Sequence, residues 1–164
     1  PVACAIGTSG EIARLKEEIL KENTLDAVFT LPNEIFYPGA SASACCMVFK
    51  IGTKHSDVSN PDTYFGYYKE DGFKKKKNLG RVEQLDVNTG KSKWLEIEKE
   101  WIELYRNRKA VDGLSATHKV NGDDEWLCEA YMKTDYTKLT AQDFQQTIND
   151  YLAYLIKEGR IYES

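Results

Sequence analysis

Leu31-Pro32-Asn33-Glu34-Ile35-Phe36-Tyr37-Pro38-Gly39-Ala40-Ser41-Ala42-Ser43-Ala44-Cys45-Cys46-Met47-Val48-Phe49 sets an aromatic pair and a Pro-Gly turn between two apolar runs. The run at residues 25–31 contains Val28 and Phe29 and stops at Pro32, as a strand would. The run at residues 44–51 is apolar almost throughout, which predicts a strand covered on both faces. Twelve residues join the two, too many for a tight hairpin. Upstream, residues 2–6 read as a short buried strand. Thr8-Ser9-Gly10-Glu11 then has capping-box spacing, with Thr8 as N-cap and Glu11 reaching back. Ile12, Leu15 and Ile19 recur at helical spacing opposite Glu17, Lys21 and Glu22, predicting an amphipathic helix to about Lys21. Strand, helix, strand in that order favours a right-handed crossover onto a parallel sheet. The expected class is therefore α/β with a βαβ start and a β-strand return.

Downstream, residues 52–63 are polar and turn-forming and read as a linker or surface loop. Tyr64-Phe65-Gly66-Tyr67-Tyr68 is strand-like by its aromatics, and residues 69–90 read as loop with a short strand at 81–85. Trp94, Ile97, Trp101, Leu104 and Tyr105 share one face of a helix over 93–106. Thr140-Ala141-Gln142-Asp143 caps a last helix, about 140–157, whose Phe144, Ile148, Tyr151, Leu152 and Leu155 form a stripe, with Gly159 as its stop. Both helices read first as packing on each other or on a sheet. The alternative is docking to a partner helix, and stripes left uncovered would lead to self-association.

The 164 residues suffice for one domain or a little more, with 41% hydrophobic and 29% charged residues and no apolar run long enough to span a bilayer. Cys4, Cys45, Cys46 and Cys128 have no C-x-x-C spacing, and His55 and His118 adjoin none of them. No metal site is predicted; reduced, buried thiols in a cytoplasmic protein are expected. The chain opens without Met or a signal pattern and reads as a strand entered partway, as in an expressed fragment.

The net charge of −4 is unevenly spread. Lys69, Lys74, Lys75, Lys76, Lys77 and Arg81 stand against Glu70 and Asp71, a local excess of four positive charges on an acidic body. Such a block beside Tyr67, Tyr68 and Phe73 could follow a phosphate backbone. On composition it reads first as a solvated charge run, it could also face RNA or an acidic partner subunit, and nothing in it reads bases. Phe36 and Tyr37 are the candidates for holding an extruded base by its face, with ring packing at the sheet end as the alternative. Asn60-Pro61-Asp62-Thr63-Tyr64 is an imperfect match to the Asn-Pro-Pro-aromatic signature of amino methyltransferases and is set aside. Gly39-Ala40-Ser41-Ala42-Ser43 reads as a turn rather than a nucleophile elbow, and Asp123-Asp124-Glu125 as a solvated turn. There is no Gly-rich loop after an early strand and no acid–base pair, so no catalytic and no cofactor-binding residue is assigned.

Leu31-Pro32 with Phe36-Tyr37-Pro38-Gly39, taken together with Phe65-Gly66-Tyr67-Tyr68-Lys69-Glu70-Asp71-Gly72-Phe73, resembles the carboxy-terminal part of adenine-N6 DNA methyltransferases of the type I restriction–modification kind. The resemblance implies that residues 1–52 are the end of a methyltransferase-like (Rossmann-type) α/β domain. Residues 53–63 would then be a linker, and 64–164 a mainly helical extension carrying the basic loop of 69–81. It implies a cytoplasmic parent enzyme, a transferase moving methyl from S-adenosylmethionine to N6 of adenine in DNA. It also implies an aromatic at Phe36 or Tyr37 stacking on the base, and backbone contacts from the basic residues. Double-stranded DNA, a specificity subunit and a restriction subunit are the partners it suggests, with no membrane. The segment alone is expected to be inactive and to bind no cofactor, because the family's cofactor and catalytic motifs lie ahead of Pro1. The rival readings are a non-enzymatic DNA- or subunit-binding module and a complete small enzyme of another family.

Overall fold

Why β1 (Thr24–Thr30) forms is plain from its seven residues, six of them buried, which occupy the middle of a four-stranded sheet. The computed structural model describes residues 1–40 and 42–159. Its order of elements is α1 (Ala3–Ile6), α2 (Gly10–Glu22), β1, β2 (Cys45–Lys50), β3 (Thr63–Tyr67), β4 (Phe73–Lys76), β5 (Gly80–Glu83), α3 (Lys93–Arg106), β6 (Ser115–His118) and α4 (Ala141–Lys157). The larger sheet runs β2-β1-β3-β6: β1 is parallel to β3, and β2 and β6 are antiparallel edges. β4 and β5 form a separate hairpin.

A bulge at Asp26 sets which side chains face which layer. Leu25 pairs with Phe49 and Ala27 with Val48, so Asp26 is the extra residue and the alternation of β1 shifts there. Leu25 and Val28 consequently share one face, in a cluster with Leu20 of α2, Phe65, Trp126 and Cys128. Ala27 and Phe29 share the other, with Tyr64, Tyr68, Leu104 and Trp101, where α3 packs. The Asp26 carboxylate, 5% exposed, accepts from Tyr105 Oη at 2.5 Å and pairs with Lys50 at 2.7 Å and with Arg108. Burial opposes its ionisation, yet Lys50, Tyr105 and Arg108 together hold it below the usual carboxylate range.

The mixed α/β class and the strands near residues 25–31, 44–51 and 64–68 match expectation; several details differ. Residues 3–6 are helical, so the chain enters through two helices, and the parallel pair is β1 with β3. A four-residue apolar run suits either state, and here backbone bonds from Ala5 and Ile6 to Val2 O close a helical turn. The N-cap of α2 is Ser9, with no side-chain cap bond, so the Thr8–Glu11 box does not form. Its buried residues are Lys16 and Leu20, while Ile12, Leu15 and Ile19 stay exposed. Lys16, 3% exposed, turns inward because its ammonium finds the carbonyls of Ala5 (3.3 Å), Gly7 (2.7 Å) and Asp124 (2.5 Å) and lies over the Trp126 ring. β2 is an edge strand with Cys46 exposed, not a strand covered on both faces. Of the four cysteines only Cys128 is buried, which pushes its thiol up to about 12.

Residues 53–63 form a loop with a 3-10 turn at His55–Asp57, but they do not separate two domains: β3 is hydrogen-bonded to β1 in the same sheet. The chain divides instead into a compact unit of Pro1–Lys133 and a second beginning at Thr134. In the second, α4 opens on a complete capping box between Thr140 and Asp143, and Gly159 follows it at φ 70. Tyr64 is fully buried, so the Asn60–Tyr64 stretch contributes a core ring. The turn at 39–43 includes Ser41, which lies outside the described residues. None of the helices among the described residues is long and apolar enough to cross a membrane.

Candidate nucleic-acid interface

The carboxyl ends of the parallel strands β1 and β3 deliver two segments to one edge of the sheet, the edge at which such sheets place ligands. Beyond Thr30 the chain enters a turn closed on itself by Ile35 N donating to Pro32 O (3.1 Å), Tyr37 N to Glu34 O (2.9 Å) and Ala40 N to Phe36 O (3.1 Å). The Tyr37–Pro38 peptide is cis. Phe36 stands 53% exposed at its crest, whereas Tyr37 is half-buried.

Beyond Tyr67 the chain runs through Tyr68 into the β4–β5 hairpin. Tyr68 fixes this exit, stacked on Phe29 (5.1 Å) and on Trp101 (4.2 Å), with its hydroxyl donating to Trp101 O at 2.9 Å. Gly66 makes room for that stack, since a Cβ there would lie 2.7 Å from Tyr68 Cζ and 2.9 Å from Phe29 Cδ1. Gly72, at φ 77, brings the base of the hairpin against the start of α3, where a Cβ would meet Trp94 N at 3.2 Å. Gln84 N donating to Gly72 O and Lys93 N to Gln84 O tie the two together.

The hairpin folds back onto the aromatic turn. Lys75 Nζ lies over the Tyr37 ring at 4.4 Å and 3.5 Å from Glu34 Oε1. A Cβ on Gly80 would be 3.9 Å from Pro38 Cδ. Between turn and hairpin is a depression of about 510 Å³ lined by Pro32, Asn33, Glu34, Tyr67, Phe73 and Lys74, among others. Residues 73–76 are thus strand, where a loop was expected; the Asn78 and Gly80 positions, both with positive φ, permit the reversal.

The six basic residues fall into two sets. Lys69 pairs with Glu129 (3.2 Å), Lys75 with Glu34 (3.5 Å) and Arg81 with Asp71 (2.7 Å). Glu129 also accepts from Thr30 Oγ1 at 2.7 Å, bridging the ends of β1 and β3. Asp71 also accepts from Phe73 N, which locks the hairpin base. Lys74, Lys76 and Lys77 are exposed and have no carboxylate within ion-pair distance among the described residues. The register puts Lys75 beside Arg81 on one hairpin face and Lys74 and Lys76 on the other. Composition could not have revealed Glu34, Asp71 and Glu129 as internal counter-ions.

Residues 4–154 match the family model for N-6 DNA methylases. The chain belongs to the N-6 DNA methylase family. It is 28% identical over 154 residues to the type II restriction enzyme and methyltransferase RM.BcgI of Heyndrickxia coagulans, covering 94% of this chain and 23% of that protein. In fold it is similar to the type I restriction-modification system methyltransferase subunit of Streptococcus thermophilus, with a TM-score of 0.57 and 21% identity. That match covers 82% of this chain and 25% of the other. This N-6 DNA methylase chain therefore spans about a quarter of the length of these relatives.

Proposed function

We propose that this chain is the carboxy-terminal, DNA-facing segment of an adenine-N6 DNA methyltransferase of the restriction–modification kind. In the whole protein the reaction would be methyl transfer from S-adenosylmethionine to the exocyclic amine of adenine in double-stranded DNA, in the cytoplasm. Assembly would be with a specificity subunit and, in restriction, a nuclease subunit. The observation that carries this reading is the hairpin bearing Lys74, Lys76 and Lys77, without carboxylate partners among the described residues, folded against a turn that presents Phe36. Phosphate contacts would position the duplex without reading sequence. An aromatic face at the carboxyl edge would receive the adenine once it leaves the stack.

This reading assigns the methyl donor's site to other parts of the whole protein. No strand among the described residues runs through a Gly-rich turn into a helix: β1 leads into the aromatic turn and β3 into the hairpin. On this reading the segment alone binds duplex DNA weakly and without sequence preference, and transfers no methyl group.

The test is anisotropy with a labelled duplex across salt, beside a methyl-transfer assay with labelled adenosylmethionine. Salt-dependent binding without turnover is expected. Turnover by the segment alone, or binding indifferent to salt, would overturn the reading. A subunit-docking role is the second reading, supported by Leu95 and Ile102 exposed on α3. Native mass spectrometry with a specificity subunit tests it, and absence of a complex would remove it.

A further inference from the structure

The tip of the hairpin is Lys77-Asn78-Leu79, and Leu79 there is 71% exposed. The reversal itself does not require an apolar residue at 79. Its left-handed positions are Asn78 and Gly80, residues that accept positive φ, so a polar side chain at 79 would close the turn equally well. Exposed Lys74, Lys76 and Lys77 lie on the same hairpin. Gly80, next in the chain, abuts Pro38 of the turn that presents Phe36. The hairpin thus carries an exposed aliphatic side chain at its tip and three ammonium groups lacking carboxylate partners among the described residues, and its tip adjoins the turn that presents an exposed aromatic ring.

Charge and apolarity together select the occupant. A protein partner would have to bury three uncompensated lysines beside Leu79, at a desolvation cost. A duplex offers phosphates to the lysines and, between base pairs, apolar faces to the leucine.

We infer that Leu79 is an apolar wedge that enters the base stack of duplex DNA beside the nucleotide whose base Phe36 receives. The inference rests on the duplex-binding reading above. Extruding a base leaves two unstacked faces exposed to water, and an aliphatic side chain in the gap restores part of the lost contact. The lysines hold the backbone, and Leu79 lowers the cost of opening the stack.

The test compares the full chain, by anisotropy, on two duplexes identical except that one contains an abasic site. In the abasic duplex the gap already exists, so the wedge enters without the cost of unstacking a base, and binding about fivefold tighter or more is expected. Leu79→Ala brings the two affinities within about twofold, Leu79→Met retains the preference, and the salt slope stays the same in all three proteins. Leu79 is exposed, so neither substitution threatens the fold. A preference that survives Leu79→Ala, or a wild-type chain that binds both duplexes equally with normal salt dependence, overturns the wedge and leaves the backbone reading standing. Lack of salt-dependent binding to either duplex overturns both.

Discussion

Counting only the lysines that lack carboxylate partners gives a different DNA-binding salt dependence from counting the whole basic block. Each phosphate contact contributes about 0.9 to the slope of log K against log salt on B-DNA, so six contacts would give roughly −5.4 and three roughly −2.7. Lys69, Lys75 and Arg81 are already neutralised by Glu129, Glu34 and Asp71, and meeting a phosphate would mean giving up those partners. The expected slope is therefore near −2.7, a loss of about 40-fold in affinity from 50 to 200 mM salt rather than well over 1,000-fold. Changing Lys74, Lys76 and Lys77 to Ala together should flatten the dependence to within about twofold over that range, while Lys69→Ala leaves the slope unchanged. These side chains are on the surface, so circular dichroism should be unaltered. The assay is fluorescence anisotropy with a short labelled duplex. A wild-type slope near −5, or a triple variant with an unaltered slope, would refute the division of the block into paired and unpaired sets.

Three further outcomes follow from the packing. Asp26→Asn should cost about 2 kcal/mol, less than the roughly 3–5 kcal/mol of breaking a fully buried charge pair because Arg108 is partly and Lys50 largely exposed, as read by denaturant unfolding. The folded carboxyl is held low, so its stabilisation is full above the unfolded value and is lost as pH falls through the folded one. The wild type should lose stability in acid, below the usual carboxylate range, and Asp26→Asn should lose less over the same interval. Gly66→Ala should destabilise by about 1–3 kcal/mol, because the new methyl would overlap the Phe29–Tyr68 stack; an unchanged midpoint would mean the stack yields freely. Iodoacetamide should modify exposed Cys4 and Cys46 in the native protein and reach Cys128 only after unfolding, with peptide mass spectrometry as the readout.

Periodicity made the larger elements legible. β1 and β3 were visible as aromatic and β-branched runs, and α3 and α4 as apolar stripes; α3 does pack on the sheet through Trp101, Leu104 and Tyr105. The entry was not legible, because residues 3–6 are too few to distinguish helix from strand. Nor was the inward turn of Lys16, which hydropathy places in solvent and which three backbone carbonyls draw in. The bulge at Asp26 leaves no trace in composition, yet it decides the layer of every later residue of β1. The two site segments, the Phe36–Tyr37 turn and the lysine block, were legible one by one. Their proximity was not, since it depends on β1 and β3 running parallel and on the hairpin folding back so that Lys75 reaches Tyr37.

Hydrogen–deuterium exchange of the chain with and without duplex DNA tests most directly whether turn and hairpin form one nucleic-acid face. Slowed amide exchange is expected at residues 34–40 and 73–83, with no change at 52–62 or 119–124 on the opposite edge of the sheet. Protection at the opposite edge, or confined to α2 and α3 with turn and hairpin unaffected, would contradict the account.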